Sequence, residues 1–449
     1  MLAALRRQPV DRIPRGELGI EGGFVANFTA DVKTPMSALQ KEIYVREQLG
    51  FDFINIHEFP RKLLRYSEDG YPIYESPYGD VFKETPISFQ MLKPALEDIE
   101  DAETYQTADL SVATTHLLDF YREHTDFFLV CQINGPVGAL DWALGMEDYM
   151  CYCMTDTELV AQMAEKVMEF EVGRAKLFLD HGAEAILIAD DIAFNSGLLL
   201  PLRIMEQVAY PFYKKAIKEI KAYKDVPVIL HTDGYMHDVI GDIINCGFDA
   251  IQSIQPSAGM DIARVKREFG DKLCLIGNVD LNHLLPFGTV EEVSQQVKEL
   301  VETAGPEGFV LSTCNILTDA VKVENAKAMY HFDKASRENL SKHGAIVQHA
   351  VAYIQDNYRT ATLKEAANQV FVAPAYLSRV FTQEMNESFS HYLRNCRIQR
   401  AKELLQDPDQ KLHEVAAAVG YAEGSHLSKA FKQLEGYSPQ EYRKRFGFK

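Results

Sequence analysis

Between residues 51 and 309, short apolar runs alternate with amphipathic helical stretches, and this alternation restricts the fold more than any other feature. The runs are apolar along their whole length, which is typical of strands buried on both faces of a parallel sheet. Such runs occur at 53–56, 128–133, 185–189, 227–230, 250–254, 273–276 and 308–311, with an eighth near 13–18. Eight strands that alternate with helices predict a closed (β/α)8 TIM barrel.

An open, doubly wound parallel sheet is the alternative architecture for the same alternation. Its dinucleotide-binding version needs a Gly-x-Gly-x-x-Gly turn that opens a helix, and the sequence contains none. With 449 residues, the chain is long enough for a barrel and a second, smaller domain.

The strand pattern stops near Ala335, and the remaining residues indicate helix after helix joined by short turns. The stretch 333–344 between the two patterns has little hydrophobic periodicity. We therefore predict a barrel over residues 1–335, a linker over 336–345 and an all-α domain over 346–449.

The all-α segment contains an internal repeat. Residues 363–370 match 412–419 at Leu, Glu, Ala and Val, and residues 377–381 match 427–431 at Leu, Ser and Phe. Each copy indicates a helix, a short turn and a second helix with a polar face, which is the pattern of a helix-turn-helix unit. A long helix from residue 389 to 405 is expected to hold the two units in register. The alternative is an ordinary helical bundle whose Ser and Arg side chains are simply surface.

This repeat resembles the AraC-type DNA-binding domain over residues 347–446. The resemblance rests on 376–381, 388–394, 397–405, 415–421 and above all 431–443, which reads FKQLEGYSPQEYR. It implies recognition helices near residues 374–383 and 425–434 and promoter DNA as a partner. His426 departs from the family pattern, because an aromatic residue is usual at that position. The residues expected to contact DNA are Pro374, Ala375, Tyr376, Ser378, Arg379, Ser425, His426, Ser428 and Lys429.

Charge is distributed unevenly between the two parts. The whole chain has a net charge of -19, but residues 341–449 contain 15 Lys and Arg against 11 Asp and Glu. That leaves the tail at +4 and the remainder at -23. A basic module on an acidic body is expected of a nucleic-acid-binding appendage, so the acidic total does not exclude DNA.

Polar side chains follow several of the predicted strands, at the end of a barrel where ligands bind. We expect a ligand pocket there, and His231, Asp233 and Cys314 supply the imidazole, carboxylate and thiolate donors that zinc accepts. A polar pocket rim without metal is the alternative. Adjacent strand residues point in opposite directions, so only one of Asp190 and Asp191 is expected to face the pocket. The predicted pocket residues are Asp190, Asp191, His231, Asp233, Asn278 and Asp280.

Four further polar residues lie near the first two predicted strands: Glu17, Glu21, His57 and Glu58. Capping and surface roles are the better interpretation for them.

Residues 1–335 resemble the uroporphyrinogen decarboxylase superfamily, which includes corrinoid-dependent methyltransferases. The resemblance rests on residues 5–14, 76–82, 134–136, 189–193, 231–234, 275–280 and 314–325. It implies a (β/α)8 barrel with its pocket at the carboxyl ends of the strands.

Two departures from that family narrow the function. The decarboxylases carry an arginine-rich segment after the first strand, whereas residues 15–23 here read RGELGIEGG, which argues against porphyrin decarboxylation. The methyltransferases hold zinc through His-x-Cys and a distant Cys. His231 and Cys314 match that set, but Asp233 replaces the first Cys and is a harder, less electron-donating ligand.

These features predict a DNA-binding transcription regulator whose barrel senses a small molecule connected with corrinoid or methyl-group metabolism. We expect a cytoplasmic protein without membrane segments, since no apolar run is long enough to span a bilayer and no signal peptide is evident. We also expect a homodimer. One alternative is an active methyltransferase, with zinc as cofactor and a corrinoid as ligand or substrate, fused to a DNA-binding domain. Another is a catalytically inactive barrel that only dimerises the tails.

Overall fold

The computed structural model describes residues 1–85, 88–332, 346–347, 349–370, 372–385, 387–407 and 410–446. The chain divides into two compact units, with the division between Phe332 and Asp333. The predicted linker 336–345 lies outside the described residues. The predicted bounds of the two domains at this junction therefore stay predictions.

The first unit alternates strands and helices from end to end. Its strands are β1 Phe53–Ile56, β2 Lys62–Tyr66, β3 Pro72–Glu75, β4 Val81–Glu84, β5 Phe89–Lys93, β6 Phe128–Asn134, β7 Ala185–Ala189, β8 Ala193–Phe194, β9 Gly197–Leu198, β10 Val228–His231, β11 Ala250–Ser253, β12 Cys274–Val279 and β13 Phe309–Thr313. Its helices are α1 Leu2–Leu5, α2 Gly22–Phe28, α3 Ala38–Leu49, α4 His116–His124, α5 Pro136–Leu144, α6 Met146–Thr155, α7 Thr157–Asp180, α8 Leu202–Val208, α9 Tyr210–Tyr223, α10 Ile240–Cys246, α11 Ile262–Phe269, α12 Leu284–Phe287, α13 Val290–Ala304 and α14 Val323–Tyr330.

Seven parallel strands form the central sheet in the order β1-β6-β7-β10-β11-β12-β13. Each strand coincides, within about three residues at either end, with a run predicted from the sequence. The strands are apolar along their length because helices cover the outer face while side chains fill the interior.

The eighth predicted strand, near 13–18, is not a regular strand. Arg15 forms only an isolated parallel bridge with Leu311 of β13. On the other side, the Asp52 amide donates to the Arg15 carbonyl at 2.8 Å, so this segment lies between the two edges of the sheet and closes it. Pro14 has no amide hydrogen to donate, which shortens the ladder. The structure thus confirms a TIM-type barrel with an irregular eighth position.

The barrel is closed at the amino ends of its strands. Ala4 and Leu5 of α1 belong to the apolar cluster that fills the barrel interior. Arg7 donates to the carbonyl of Asp249, which stands immediately before β11. A ligand pocket must therefore open at the opposite end, where the strands finish.

An antiparallel sheet, in the order β2-β3-β4-β5, is inserted between β1 and α4. The sequence pattern did not predict it, since every residue of β2 and β5 is exposed and the apolar residues do not alternate cleanly. Phe82 of β4 is buried and directs this sheet towards the barrel.

The second unit is entirely helical in its described residues. Its helical stretches are 346–347 with 349–357, Leu363–Gln369, Pro374–Met385, Phe389–Leu404, Leu412–Ala418, Gly424–Glu435 and Pro439–Phe446. No helix in the described ranges of the whole chain is long and apolar enough to cross a membrane.

The internal repeat appears as two apolar clusters that share one helix. Leu377 and Phe381 belong to the first cluster, and their counterparts Leu427 and Phe431 belong to the second. The helix Phe389–Leu404 contributes to both clusters, as the sequence predicted. The double helix-turn-helix architecture is thereby confirmed.

Candidate functional site

A cavity of about 700 Å³ opens beside the carboxyl ends of β6, β7 and β10. This volume is typical of a site for a drug-sized ligand. Most of its lining is apolar or aromatic, and the inserted sheet forms part of the wall. The lining includes Phe82, Phe89, Asp141, Trp142, Asp191 and His231.

The adjacent residues Asp190 and Asp191 have different environments. Asp190 is buried and accepts hydrogen bonds from the Val137 and Gly138 amides at the start of α5, and from Tyr213. Burial raises its pKa to about 7, and those hydrogen bonds partly offset the increase. Asp191 is exposed. Both border the cavity, but only Asp191 offers an accessible carboxylate.

Close packing explains a glycine in the sequence Asn134-Gly-Pro. A Cβ atom at Gly135 would lie 2.2 Å from the Asp190 carboxylate, which no real side chain tolerates. Gly135 therefore allows Asp190 to reach the amino end of α5 and accept from its unpaired amides.

His231 stands at the last position of β10 and has one nitrogen already engaged. Its Nδ1 lies within hydrogen-bond distance of Gln252 Oε1, and Gln252 Nε2 donates to the Thr313 carbonyl at 3.3 Å. Because the side-chain nitrogen of Gln252 already donates to Thr313, the Gln252 oxygen accepts a hydrogen bond from His231 Nδ1. His231 Nε2 then keeps its lone pair. A carbonyl partner of this kind orients a metal-binding imidazole.

Asp191, His231 and Asp233 come together. Among the described residues they are the one set of three potential metal ligands whose donor atoms all lie within 4.8 Å of one another. Asn315 donates to Asp233 Oδ2 at 2.7 Å, whereas Asp233 Oδ1 is buried without a hydrogen-bond partner. A free imidazole nitrogen, an unpartnered carboxylate oxygen and a second carboxylate fit a divalent cation.

Cys314 is not in that set. Its thiol is buried, and burial together with the nearby carboxylates of Asp233, Glu17 and Asp280 raises its pKa to about 11. The following residue, Asn315, makes the contact with Asp233 instead. Of the three predicted zinc ligands, His231 and Asp233 lie together, and Asp191 is the third member of the set. The role of Cys314 as a ligand stays a prediction.

Asn278 and Asp280 have local partners. The Asn278 amide donates to the carbonyl of Ile254. Asp280 accepts from the amides of Asn282 and His283, and so stabilises the turn after β12. Neither lines the 700 Å³ cavity or the open groove beside it, which contains Asp233. Their assignment to the ligand pocket stays a prediction.

Of the weaker candidates, Glu58 caps a helix, Glu21 binds the amide of a turn residue, and Glu17 is buried. Glu58 accepts from the His116 and Leu117 amides at the start of α4, and Glu21 accepts from the Asp319 amide. Glu17, by contrast, is completely buried, and a surface role is wrong. It accepts hydrogen bonds from Ser312, Thr313 and Tyr330.

Sequence reasoning missed Asp141, Trp142 and Gln252. Asp141 and Trp142 lie on α5, behind the Asn134-Gly-Pro turn, and Gln252 lies inside β11. A signal for Gln252 was present, because a buried glutamine within an apolar strand needs a hydrogen-bond partner. No comparable signal marked the two residues on α5.

The second helix of each helix-turn-helix unit presents the predicted DNA-contacting residues at its surface. Arg379 and Lys429, at equivalent positions, are exposed. Each lies two residues after a fully buried leucine, Leu377 or Leu427, which fixes the face that points outward. The other predicted contacts are exposed or half-buried: Pro374, Ala375, Tyr376, Ser378, Ser425, His426 and Ser428.

Comparison with known proteins supports both units separately. Methylcobamide:CoM methyltransferase MtaA of Methanosarcina barkeri is 24% identical over 204 residues, which cover 45% of this chain and 57% of MtaA. The HTH-type transcriptional regulator YijO of Escherichia coli (strain K12) is 32% identical over 110 residues, which cover 24% of this chain and 39% of YijO. The match thus spans only about half of each curated relative, 57% and 39%.

The solved structure of a methyltransferase from Methanosarcina mazei aligns with 76% of this chain and 97% of the methyltransferase chain. The two sequences are 20% identical and the TM-score is 0.56, so the two proteins share the fold. Two family models match the sequence. One, described as a helix-turn-helix domain, matches residues 366–445. The other, described as uroporphyrinogen decarboxylase (URO-D), matches residues 78–335. Both predicted resemblances are confirmed, and because the URO-D match covers more than half of the chain, the protein belongs to the uroporphyrinogen decarboxylase family.

Proposed function

We propose that this protein is a sequence-specific DNA-binding transcription regulator whose barrel binds a small-molecule effector. The observation that carries the proposal is the pair of matched recognition helices, Pro374–Met385 and Gly424–Glu435, each with an exposed basic residue. One helix packs into both units and so connects them, as reading two successive major-groove segments requires. On this proposal the partners are promoter DNA and a second copy of the chain.

We expect Arg379→Ala and Lys429→Ala each to weaken operator binding by about 1–3 kcal/mol. Each side chain lies two positions after a buried leucine and therefore points away from the core of its unit. Quantitative footprinting on an operator selected from random DNA gives the affinity. Loss concentrated at particular base pairs means base contact, whereas a uniform loss with a shallower salt dependence means phosphate contact.

Lys298→Ala is the matched control, since Lys298 is an exposed lysine on barrel helix α13. It removes the same charge and is expected to leave the footprint unchanged. If Arg379→Ala and Lys429→Ala both behave like this control, the assignment of the recognition helices is wrong.

Contacts within the barrel support a role for the pocket as a sensor. Asn315, which binds Asp233, lies in the loop between β13 and α14. Helix α14 ends at Tyr330, whose hydroxyl donates to Glu17 and whose carbonyl accepts from Arg15. On this proposal, a ligand that displaces Asp233 also moves Asn315, and the loop of Asn315 leads into the last helix before the predicted linker. If ligand binding changes operator affinity, operator binding must change ligand affinity by the same factor.

A second candidate function, metal-dependent methyl transfer, is favoured by the set Asp191, His231 and Asp233. We propose that these residues hold a divalent cation such as zinc. When bound by three protein ligands, zinc keeps an open position and acts as a Lewis acid. A corrinoid is then the proposed methyl carrier. The two carboxylates make the set harder than a thiolate site and less suited to activating a thiol.

Removing the orienting partner of His231 is expected to weaken this metal site. Gln252→Leu should lower cobalt(II) affinity by about 10–100-fold, because Nδ1 loses its acceptor and the ring its orientation. Titration followed by the visible spectrum of cobalt provides the measurement. Asp191→Asn is expected to weaken binding as well.

Cys314→Ser distinguishes the observed set from the one predicted by sequence. If Cys314 is not a ligand, the variant retains the cobalt spectrum and affinity of the parent chain. If the parent chain shows a sulfur-to-metal charge-transfer band that Cys314→Ser lacks, Cys314 is a ligand. The set predicted from the sequence, His231, Asp233 and Cys314, is then correct.

A further inference from the structure

One wall of the cavity consists of three aromatic rings from three different elements: Phe82 of β4, Phe89 of β5 and Trp142 of α5. Their centroids lie 5.9 Å (Phe82–Phe89), 6.1 Å (Phe82–Trp142) and 5.5 Å (Phe89–Trp142) apart. The ring planes meet at 73°, 80° and 66°, so the rings face in three different directions. All three border the cavity, and Phe89 and Trp142 are 53% and 43% exposed.

Among the described residues, the acidic side chains beside these rings form no ion pair with a Lys or Arg. Asp141 precedes Trp142 on α5 and borders the cavity. Its carboxylate oxygen Oδ1 is buried and has no hydrogen-bond partner among the described residues. Asp191 is close enough to raise the pKa of Asp141, although burial is the larger cause. Two neighbouring carboxylates therefore face the same space.

The other charged groups of the lining are already engaged. Glu58 caps α4, and Asp190 caps α5. Arg61, the one Lys or Arg among the described lining residues, pairs with Glu84 at 2.6 Å and lies over the ring of Tyr74. No unpaired Lys or Arg among the described lining residues is left to receive an anionic ligand.

We propose that this cavity binds an organic cation of the alkylated-ammonium class, with its cationic head between the three rings and Asp141. Aromatic faces attract a desolvated cation through the ring quadrupole, and a fully alkylated ammonium has no N–H group to donate to competing hydrogen-bond acceptors. The remaining apolar lining takes the hydrocarbon body of the ligand. This inference rests on the proposed function, in which the barrel binds a small effector.

The cationic site is separable from the metal set. The proposed metal set consists of Asp191, His231 and Asp233 and does not include Asp141. Asp141→Asn therefore tests the cation site while it leaves all three proposed metal ligands in place.

The test is calorimetric titration of the full-length chain with two pairs of probes. Benzyltrimethylammonium and benzoate share an aromatic body and differ in charge. Choline and 3,3-dimethylbutan-1-ol share a shape and differ only in the charged atom. We expect benzyltrimethylammonium to bind and benzoate not to, and choline to bind about tenfold more tightly than its neutral analogue. Equal affinity within either pair overturns the proposal.

Variants then locate the head group. Asp141→Asn and Trp142→Leu should each lower benzyltrimethylammonium affinity by about tenfold, and Trp142→Phe should retain most of it. Asp148→Asn and Phe287→Leu are controls, since both residues are exposed and outside the cavity lining. Losses as large in the controls as in the cavity variants contradict the assigned position.

These outcomes are independent of DNA. A chain that binds benzyltrimethylammonium but footprints no operator keeps this inference and loses the regulator proposal. A chain that footprints an operator but discriminates neither pair of probes keeps the regulator proposal and loses this inference.

Discussion

Arg174→Met is expected to destabilise the barrel by about 3–5 kcal/mol, because it removes one partner of a completely buried ion pair. Arg174 and Glu171 lie on the same face of α7 at 2.7 Å, and neither side chain is exposed to solvent. Arg174 also donates to the Glu58 carbonyl at 2.8 Å. Glu171 accepts from the Tyr78 hydroxyl and the Asn134 amide, so losing Arg174 leaves a buried carboxylate without its cation.

The chain has a single tryptophan, Trp142, and it lies in the barrel. Its fluorescence during urea denaturation therefore reports on the barrel unit alone. Lys215→Met is the control. It removes an ion pair between Lys215 of α9 and Glu165 of α7, whose charged atoms lie 2.9 Å apart. Both of these side chains are about half exposed. A loss of no more than about 1 kcal/mol is expected for that exposed pair.

The double variant Arg174→Met/Glu171→Met checks the cause. If the cost of Arg174→Met comes from an unpaired buried charge, the double variant should be less destabilised than the sum of the two single variants. Strictly additive losses would mean that packing, and not the ion pair, accounts for the effect.

The second large effect concerns pH and Glu17. Burial raises the pKa of Glu17 from 4.5 to about 7, and hydrogen bonds from Tyr330, Thr313 and Ser312 only partly offset the increase. The folded state therefore favours the protonated form. The stability that this provides is fully present below pH 4.5, the unfolded value, and is lost as the pH rises through about 7. The neighbouring hydroxyl groups can rotate to suit either form.

Relative to Glu17→Gln, the parent chain should lose about 2–3 kcal/mol of barrel stability between pH 5 and pH 8, because one pKa unit corresponds to about 1.4 kcal/mol. Urea denaturation at a series of pH values, read by Trp142 fluorescence, measures the difference. Glu307→Gln, at an exposed position, is the control for the loss of one carboxylate. A difference between parent and Glu17→Gln that stays constant with pH would show that Glu17 ionises normally in the folded chain.

Much of the architecture follows from local sequence patterns. Seven parallel strands lie where continuous apolar runs predicted them, because a strand buried on both faces must be apolar throughout. The two helix-turn-helix units follow from a repeat whose matched leucines, Leu377 and Leu427, are both fully buried. The end of the barrel that carries the pocket also follows, since parallel strands bring their carboxyl ends together.

The composition of the site was decided by the tertiary structure. Sequence order could not show that Asp191 joins His231 and Asp233, or that Asn315, and not the buried Cys314, contacts Asp233. Nor could it place Phe82 and Phe89 of the inserted sheet against Trp142. The periodicity of a strand or helix reports which face is buried over a few residues. Contacts between distant elements depend on strand stagger, loop paths and helix starts, and these are set only when the whole barrel closes.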